Sequence, residues 1–131
     1  MGWGMVQDMG TDFRSGTDFP RRGREESGGF LWLSRMFDKA RAARDGTIHD
    51  YLYPCPMDRG VLERWGIAPD DFDAAVRTHR TDAAILDWVR AHVPLSRRDA
   101  ANRWLVEEKG SNLDRQDAEE GVVAGHAKPP T

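Results

Sequence analysis

The sequence predicts an all-α fold: a small single-domain bundle of about five helices. Apolar residues recur at three- and four-residue steps in successive segments, which is the spacing of helix faces. No stretch alternates apolar and polar residues as a half-buried strand does, and there is no internal repeat. A chain of 131 residues suits one core better than two. We expect an N-terminal arm at 1–26, a helical domain at 27–110 and a disordered tail at 111–131.

The N-terminal arm is predicted to be extended and partly flexible. It contains glycines, a proline and mixed charges without helical periodicity. Phe13 and Phe19 could pin the arm onto the domain, whereas the alternative is a solvated tail. Three arginines give it local positive charge, namely Arg21, Arg22 and Arg24.

The first helix is predicted over residues 29–45. Gly46 follows where a left-handed residue ends a helix, and Ser27 with two glycines supplies a cap and a bend. Trp32 lies near the charged side of this helix, where it could stack on a ligand or pack under the arm. The apolar positions at helical spacing are Leu33, Met36, Phe37, Ala40 and Ala43.

A stiff loop is predicted after the first helix. Thr47 to Tyr53 is too short for a helix, and Pro54 and Pro56 disfavour helix through the next residues. Cys55 is therefore expected in an extended loop. Asp58 is expected to cap the second helix.

Four more helices are predicted from apolar spacing and from residues that start and stop helices. Pro69 suits the first turn of the third helix, where its missing N–H costs nothing. Ser96 with Asp99 resembles a capping box for the fifth helix. The other boundaries are expected at Asp58 and Gly66 for the second helix, Thr81 or Asp82 and Pro94 for the fourth, and Gly110 for the end of the fifth.

Composition and charge argue against several classes of function. The formal net charge is −3 and the pI is about 5.8, so we expect neither a general nucleic-acid binder nor a protein bound to acidic membranes. Apolar runs are too short to span a bilayer. The single cysteine cannot form an intrachain disulfide, and no charged-then-apolar leader opens the chain. We therefore expect a cytoplasmic protein.

A charged group on the first helix is the leading candidate for ligand binding. Arg35, Asp38 and Lys39 fall at i, i+3 and i+4 on the side opposite the apolar positions, and Arg41 lies to one side. The simpler interpretation is a salt-bridged face in solvent. The functional interpretation is that Arg35 and Lys39 hold a phosphate or carboxylate while Asp38 orients one of them, because the arginine fork suits planar anions.

The loop contributes a second group of candidates. Cys55 stands shortly before a helix start, where a thiolate is favoured, although a lone cysteine is more often a buried small apolar residue. Tyr51 and Tyr53 alternate, so in an extended segment both would point to one side and line a pocket or cover the helix. Ordinary surface or structural roles are expected for His79 and His92.

A metal site is not expected in the loop. His49, Cys55 and Asp58, with Asp50 nearby, offer ligand atoms, but neither a Cys-x-x-Cys nor a His-x-x-x-His spacing is present.

The chain resembles the bacterial family of small proteins called domain of unknown function 5069. The resemblance runs from Asp12 to Leu105, and its most specific parts are the Asp-Lys-x-Arg segment of the first helix and the Cys-Pro-x-Asp segment of the loop, at this separation. It implies a domain boundary and a site region, and it implies no reaction. The matching residues are Asp12-Phe13-Arg14, Pro20-Arg21, Gly28-Gly29, Leu33-x-Arg35-Met36-x-Asp38-Lys39-Ala40-Arg41-Ala42, Gly46, Tyr51-x-Tyr53-x-Cys55-Pro56-x-Asp58 and Gly66-Ile67, with weaker similarity at 82–88, Asn102 and Trp104.

We expect this protein to bind an anionic small molecule between the first helix and the Tyr-x-Tyr-x-Cys-Pro loop, with turnover of that molecule left open. The alternative is a protein-interaction module that uses the same charges as a docking face, and a weaker one is nucleic-acid binding through the arm. No cofactor or metal is expected. The candidate ligand-binding residues are Arg35, Lys39, Arg41, Tyr51 and Tyr53, and the candidate catalytic residues are Asp38, Cys55 and Asp58.

Overall fold

The computed structural model describes residues 12–16 and 18–121, and over these residues the chain is all-α, as predicted. Six α-helices form in this part of the chain, and none of them is long and apolar enough to cross a membrane. Their bounds are α1 (Leu33–Asp45), α2 (Pro56–Trp65), α3 (Pro69–Thr78), α4 (Asp82–His92), α5 (Leu95–Arg103) and α6 (Gly110–Glu119), with a π-helical turn at Trp104–Glu108.

The arm packs on the domain through one aromatic side chain and through backbone contacts. Phe13 is 2% exposed, and its backbone N–H donates to the carbonyl of Thr47 at 2.9 Å. Gly23 lies so close to the Trp32 indole that a Cβ there would meet the ring at 2.6 Å. The predicted pinning by Phe13 and the packing of Trp32 under the arm are both confirmed. Residues 1–11 and 17 of the predicted arm lie outside the described residues.

The first helix begins later than predicted, at Leu33 instead of residue 29. Gly28 and Gly29 have φ angles of 56° and 85°, and Ser27 pairs with Phe30 across them in a tight turn. Trp32 also has a positive φ, at 74°. A right-handed helix cannot run through such backbone, so the turn delays the start.

The core is built around α1, whose described side chains are buried on every side from Leu33 to Ala40. Arg35, Asp38 and Lys39 are each 3% exposed, so the prediction of a solvated charged face is wrong. The arm, the loop and α6 cover this side of the helix and supply partners for its charges. Around α1, the largest buried side chains from other parts of the chain are Trp32, Trp65, Phe13, Phe30 and Phe72.

The second helix begins at Pro56, before the expected Asp58. Cys55 is the N-cap, and its Sγ accepts from the backbone N–H of Asp58 at 3.4 Å. The Asp58 carboxylate accepts in return from the Cys55 backbone N–H at 2.9 Å. This reciprocal arrangement is a capping box with a thiol in place of the usual hydroxyl. Pro56 stands at the first helical position, where proline starts a helix and does not prevent one.

Helices α3 and α4 have the predicted starts, and α5 does not. Pro69 opens α3, and the Thr81 hydroxyl accepts from the backbone N–H of Ala84 at 3.1 Å to cap α4. Helix α5 begins at Leu95 after Pro94, without a side-chain cap, so the predicted Ser96–Asp99 capping box is absent. The predicted fifth helix also changes to the π-helical turn at Trp104.

A sixth helix occupies part of the predicted tail. Helix α6 buries Leu113 and Asp117, and Glu120 just beyond it is 7% exposed, so the prediction of a disordered tail is wrong for residues 111–121. Gly110 begins this helix and does not end the previous one. Ion pairs with the arm explain the order, because Arg22 holds Asp117 at 2.7 Å. Residues 122–131 lie outside the described part of the chain.

The contact of α2 with the π-helical turn gives a test of the packing. A Cβ at Gly60 would lie 2.2 Å from Cη2 of Trp104, so we expect Gly60→Ala to lower the free energy of unfolding in urea. Overpacking costs about 1–3 kcal/mol, which exceeds the gain in helix propensity of about 1 kcal/mol.

The matched control is the same substitution in a Trp104→Leu background, where the smaller side chain leaves room. Gly60→Ala should be neutral or stabilising there. An equal loss of stability in both backgrounds would contradict the packing argument.

Candidate functional site

Three of the candidate residues meet at the Asp58 carboxylate. Asp58 is fully buried, and it accepts from Lys39 Nζ at 2.8 Å and from Trp32 Nε1 at 2.7 Å. Lys39 Nζ also lies 3.3 Å from Cys55 Sγ. The proximity of Lys39, Cys55 and Asp58 agrees with their shared place in the sequence signature. The hydrogen-bonding capacity of the Asp58 carboxylate is met within the protein, because each of its oxygens already accepts from a donor of the chain.

Arg35 and Tyr51 meet at a different carboxylate, that of Glu120. Arg35 forms a two-pronged ion pair, with Nη1 at 2.9 Å from Oε1 and Nη2 at 2.7 Å from Oε2. The Tyr51 hydroxyl donates to Oε2 at 2.9 Å. Burial favours the neutral phenol of Tyr51, and the negative charge of Glu120 favours it further. The pKa of Tyr51 is therefore raised. Arg35, which was predicted to hold an anion, and Tyr51, which was predicted to line the ligand pocket, therefore both bond to a carboxylate of the chain itself.

Asp38 joins the arm to α1 and does not orient Arg35 or Lys39. It accepts from the Arg21 backbone N–H at 2.8 Å, from Arg21 Nη2 at 2.9 Å and from Arg41 Nη2 at 3.1 Å. Arg21 also donates to Asp82 at 2.8 Å. Burial disfavours the charged guanidinium, but the hydrogen bonds to Asp82 and Asp38 outweigh it, so the pKa of Arg21 is raised. The predicted role of Asp38 is replaced by a structural one.

The two tyrosines of the loop have different partners, which contradicts a shared wall. Tyr51 contacts Glu120 and lies edge-on to Phe13 at 5.2 Å, whereas the Tyr53 hydroxyl donates to Asp73 at 2.5 Å. Burial raises the pKa of Tyr53, and the Asp73 carboxylate raises it further. Tyr53 therefore stays protonated and faces α3.

An open cleft lies beside Tyr53, where α1, the loop and α3 come together. It has a volume of about 270 Å³, and its polar lining comes from Arg44, Tyr53, Asp73 and Arg77. Tyr53 is the candidate residue that lines it. Arg44 and Arg77 were missed because each stands in a helix among many charged residues, with no sequence signal to distinguish them.

Further polar side chains surround a second cleft of about 430 Å³ between α3 and α4. The Trp88 indole stacks on His92 at 4.4 Å, and the His92 Nδ1 bonds the Trp88 carbonyl at 2.7 Å. His79 lies on the same cleft.

His49 lies in the loop and pairs with Asp50 at 3.3 Å. Among the described residues, no three His, Cys, Asp or Glu side chains are placed to hold a metal ion.

A comparison with known protein families gives a match that covers most of the chain. The family described as Domain of unknown function (DUF5069) matches residues 17–127. The chain belongs to this family. The match extends past Leu105, where the resemblance seen in the sequence ended, and it includes α6. No curated protein matches the chain.

The Lys39–Asp58 ion pair gives a stability prediction. Asp58→Asn keeps the shape of the side chain but leaves the Lys39 ammonium buried beside a neutral amide. Breaking a buried pair on one side costs about 3–5 kcal/mol, so we expect a loss of that order in the free energy of unfolding. The measurement is chemical denaturation followed by circular dichroism.

Asp87→Asn is the matched control, because Asp87 is exposed on α4 and surface substitutions change stability by about 0.5 kcal/mol or less. A similar small effect for Asp58→Asn would show that Lys39 finds another partner or reaches water.

The raised pKa of Tyr53 predicts a loss of stability in alkali. The folded state favours the neutral phenol, so this contribution is fully present below the unfolded pKa of about 10 and declines as the pH rises above it. The difference in free energy of unfolding between wild type and Tyr53→Phe should therefore be constant from pH 7 to about 9 and shrink by about pH 10.5. Urea denaturation at these pH values measures it. A difference that stays constant at the highest pH would contradict the assignment.

Proposed function

We propose that this protein binds an anionic small molecule in the cleft between α1, the Tyr-x-Tyr-x-Cys-Pro loop and α3. The observation that carries the proposal is the cleft itself, because the first helix and the loop both line an open space of about 270 Å³. This is close to the lower end of ligand-binding pockets, which begin near about 300 Å³. The ligand is accordingly a small metabolite.

The charges of the cleft favour an anion. Arg77 is exposed on α3, and in the described part of the chain no carboxylate pairs with its guanidinium. Arg44 lines the opposite wall and shares its charge with the neighbouring Asp45 at 2.9 Å. The Asp73 carboxylate is engaged by the Tyr53 hydroxyl. Arg77 is therefore the principal cation offered to a ligand, and a guanidinium suits phosphate and carboxylate groups.

The buried charges on α1 have a supporting role in this proposal. Arg35, Lys39 and Arg41 are each paired with a carboxylate of the chain, and they fix the helix that forms one wall of the cleft. Asp38 and Asp58 are held in the same way, so the proposal is binding without an assigned reaction. A docking face for another protein would need exposed charges, and burial of Arg35 and Lys39 argues against that alternative. We place the protein in the cytoplasm in this proposal, because small metabolites are found there and a free cysteine stays reduced there.

A titration with simple anions tests the proposal. Inorganic phosphate, pyrophosphate and succinate are added to the full chain, and binding is measured by thermal shift and by calorimetry. At least one anion should stabilise the protein saturably, by about 1.4 kcal/mol at a concentration ten times its Kd. Arg77→Glu should weaken that binding by about ten-fold or more, since a hydrogen bond between charged groups contributes about 1.5–3 kcal/mol.

Arg59→Glu is the matched control, because Arg59 is exposed on α2 and does not line this cleft. It makes the same change in net charge and should leave the affinity nearly unchanged. Equal losses in the two variants would show a general charge effect, and no stabilisation by any of the three anions would contradict the proposal.

A further inference from the structure

Glu120 occupies a carboxylate-binding site made by other parts of the chain. Arg35 on α1 presents both terminal nitrogens to the two carboxylate oxygens, and the Tyr51 hydroxyl from the loop adds a third donor. The Arg35 guanidinium lies 5.5 Å from the Trp32 ring centre and 5.8 Å from that of Tyr51. A fork of donors beside two aromatic rings is the arrangement that recognises a planar anion.

The internal carboxylate does not satisfy this site fully. Arg35 is 3% exposed, and its Nε is buried without a hydrogen-bond partner in the described structure. Glu120 approaches the guanidinium end-on and uses only the two terminal nitrogens. A buried donor without a partner is unfavourable, so a ligand with a differently placed acceptor could make one bond that Glu120 does not make.

The segment that delivers Glu120 is held mainly by charge. Of the described residues of α6, Leu113 is the one buried apolar side chain, whereas Asp114 and Asp117 pair with Arg24 and Arg22 at 2.6 and 2.7 Å. Ion pairs between exposed side chains, such as Arg24 and Asp114, are weakened by salt and by competing anions.

The helix is also poorly stabilised by its own sequence. Helix α6 has no side-chain N-cap, no acid in its first turn and no base in its last turn. Glu120 stands at its C-terminal end, where the helix dipole disfavours a negative charge. A ten-residue helix of this kind depends on docking to persist. The position of Glu120 is therefore explained by the arginine site and not by the helix.

We propose that Arg35, Tyr51 and Trp32 form a binding site for a small carboxylate, and that Glu120 is its internal, displaceable occupant. A carboxylate ligand competes with Glu120, and its binding releases α6 from the arm. This site is separate from the cleft at Arg77 and does not depend on the function proposed for it.

Propionate is the probe, because it reproduces the glutamate side chain beyond Cα. It is titrated into the full chain at constant ionic strength, with the neutral amide propionamide as the chemical control and tryptophan fluorescence as the readout. Glu120→Ala should bind propionate saturably and at least about ten-fold more tightly than wild type, because the internal competitor is gone. Glu119→Ala, an exposed neighbour on the same helix, should behave as wild type.

Hydrogen exchange in the wild-type protein tests displacement directly. Propionate should accelerate amide exchange at residues 110–120 more than sodium chloride does at the same ionic strength. If propionate binds Glu120→Ala no better than wild type, or if exchange in this segment does not respond to propionate, Glu120 is only a structural partner and the proposal is wrong.

Glu120→Gln covers the case in which the alanine variant does not fold, as judged by circular dichroism. It keeps the length of the side chain and removes the charge, and it should also bind propionate more tightly than wild type. Arg77→Glu should leave the propionate response intact. An unchanged response would show that propionate binds at Arg35 and not in the cleft at Arg77, so the two proposals can fail independently.

Discussion

The carboxylate of Asp58 is the point on which the rest of the structure depends. It receives hydrogen bonds from the Trp32 indole at the N-cap of α1, from the Lys39 ammonium on α1 and from the Cys55 backbone at the start of α2. The start and the middle of α1 and the start of α2 are thereby fixed around one buried charge. Because an ionised carboxylate in the interior must be paired and hydrogen-bonded, the segments cannot move apart independently.

The same principle extends along the polar side of α1. Arg35 pairs with Glu120, Lys39 with Asp58, and Asp38 with Arg21, so each buried charge on this helix finds its counter-ion on a different segment. Buried pairs of this kind add little net stability relative to apolar packing, since desolvation offsets most of the attraction. These pairs determine how the segments are arranged. If the arm, the loop or the last helix took another position, a buried charge on α1 would lose its counter-ion.

Local signals in the sequence were sufficient for the helices that depend on local chemistry. Pro69 and Thr81 start α3 and α4 where expected, because first-turn proline and a capping hydroxyl act within one turn. The burial of the charged side chains of α1 was not predictable from helical spacing. The same i, i+3, i+4 pattern of Arg35, Asp38 and Lys39 fits a solvated face or a buried one, and the elements that cover it are distant in sequence.

The order of α6 was not predictable from its own sequence, for a physical reason. The arm and α6 are both polar segments without an apolar stripe, and alone each lacks the buried surface that would order it. Together they are complementary, because Arg22 and Arg24 of the arm pair with Asp117 and Asp114 of α6. Two segments of opposite charge can order each other where neither would order by itself. The family match from 17 to 127 covers α6 and residues 17–26 of the arm, which agrees with a domain whose two ends are joined through these ion pairs.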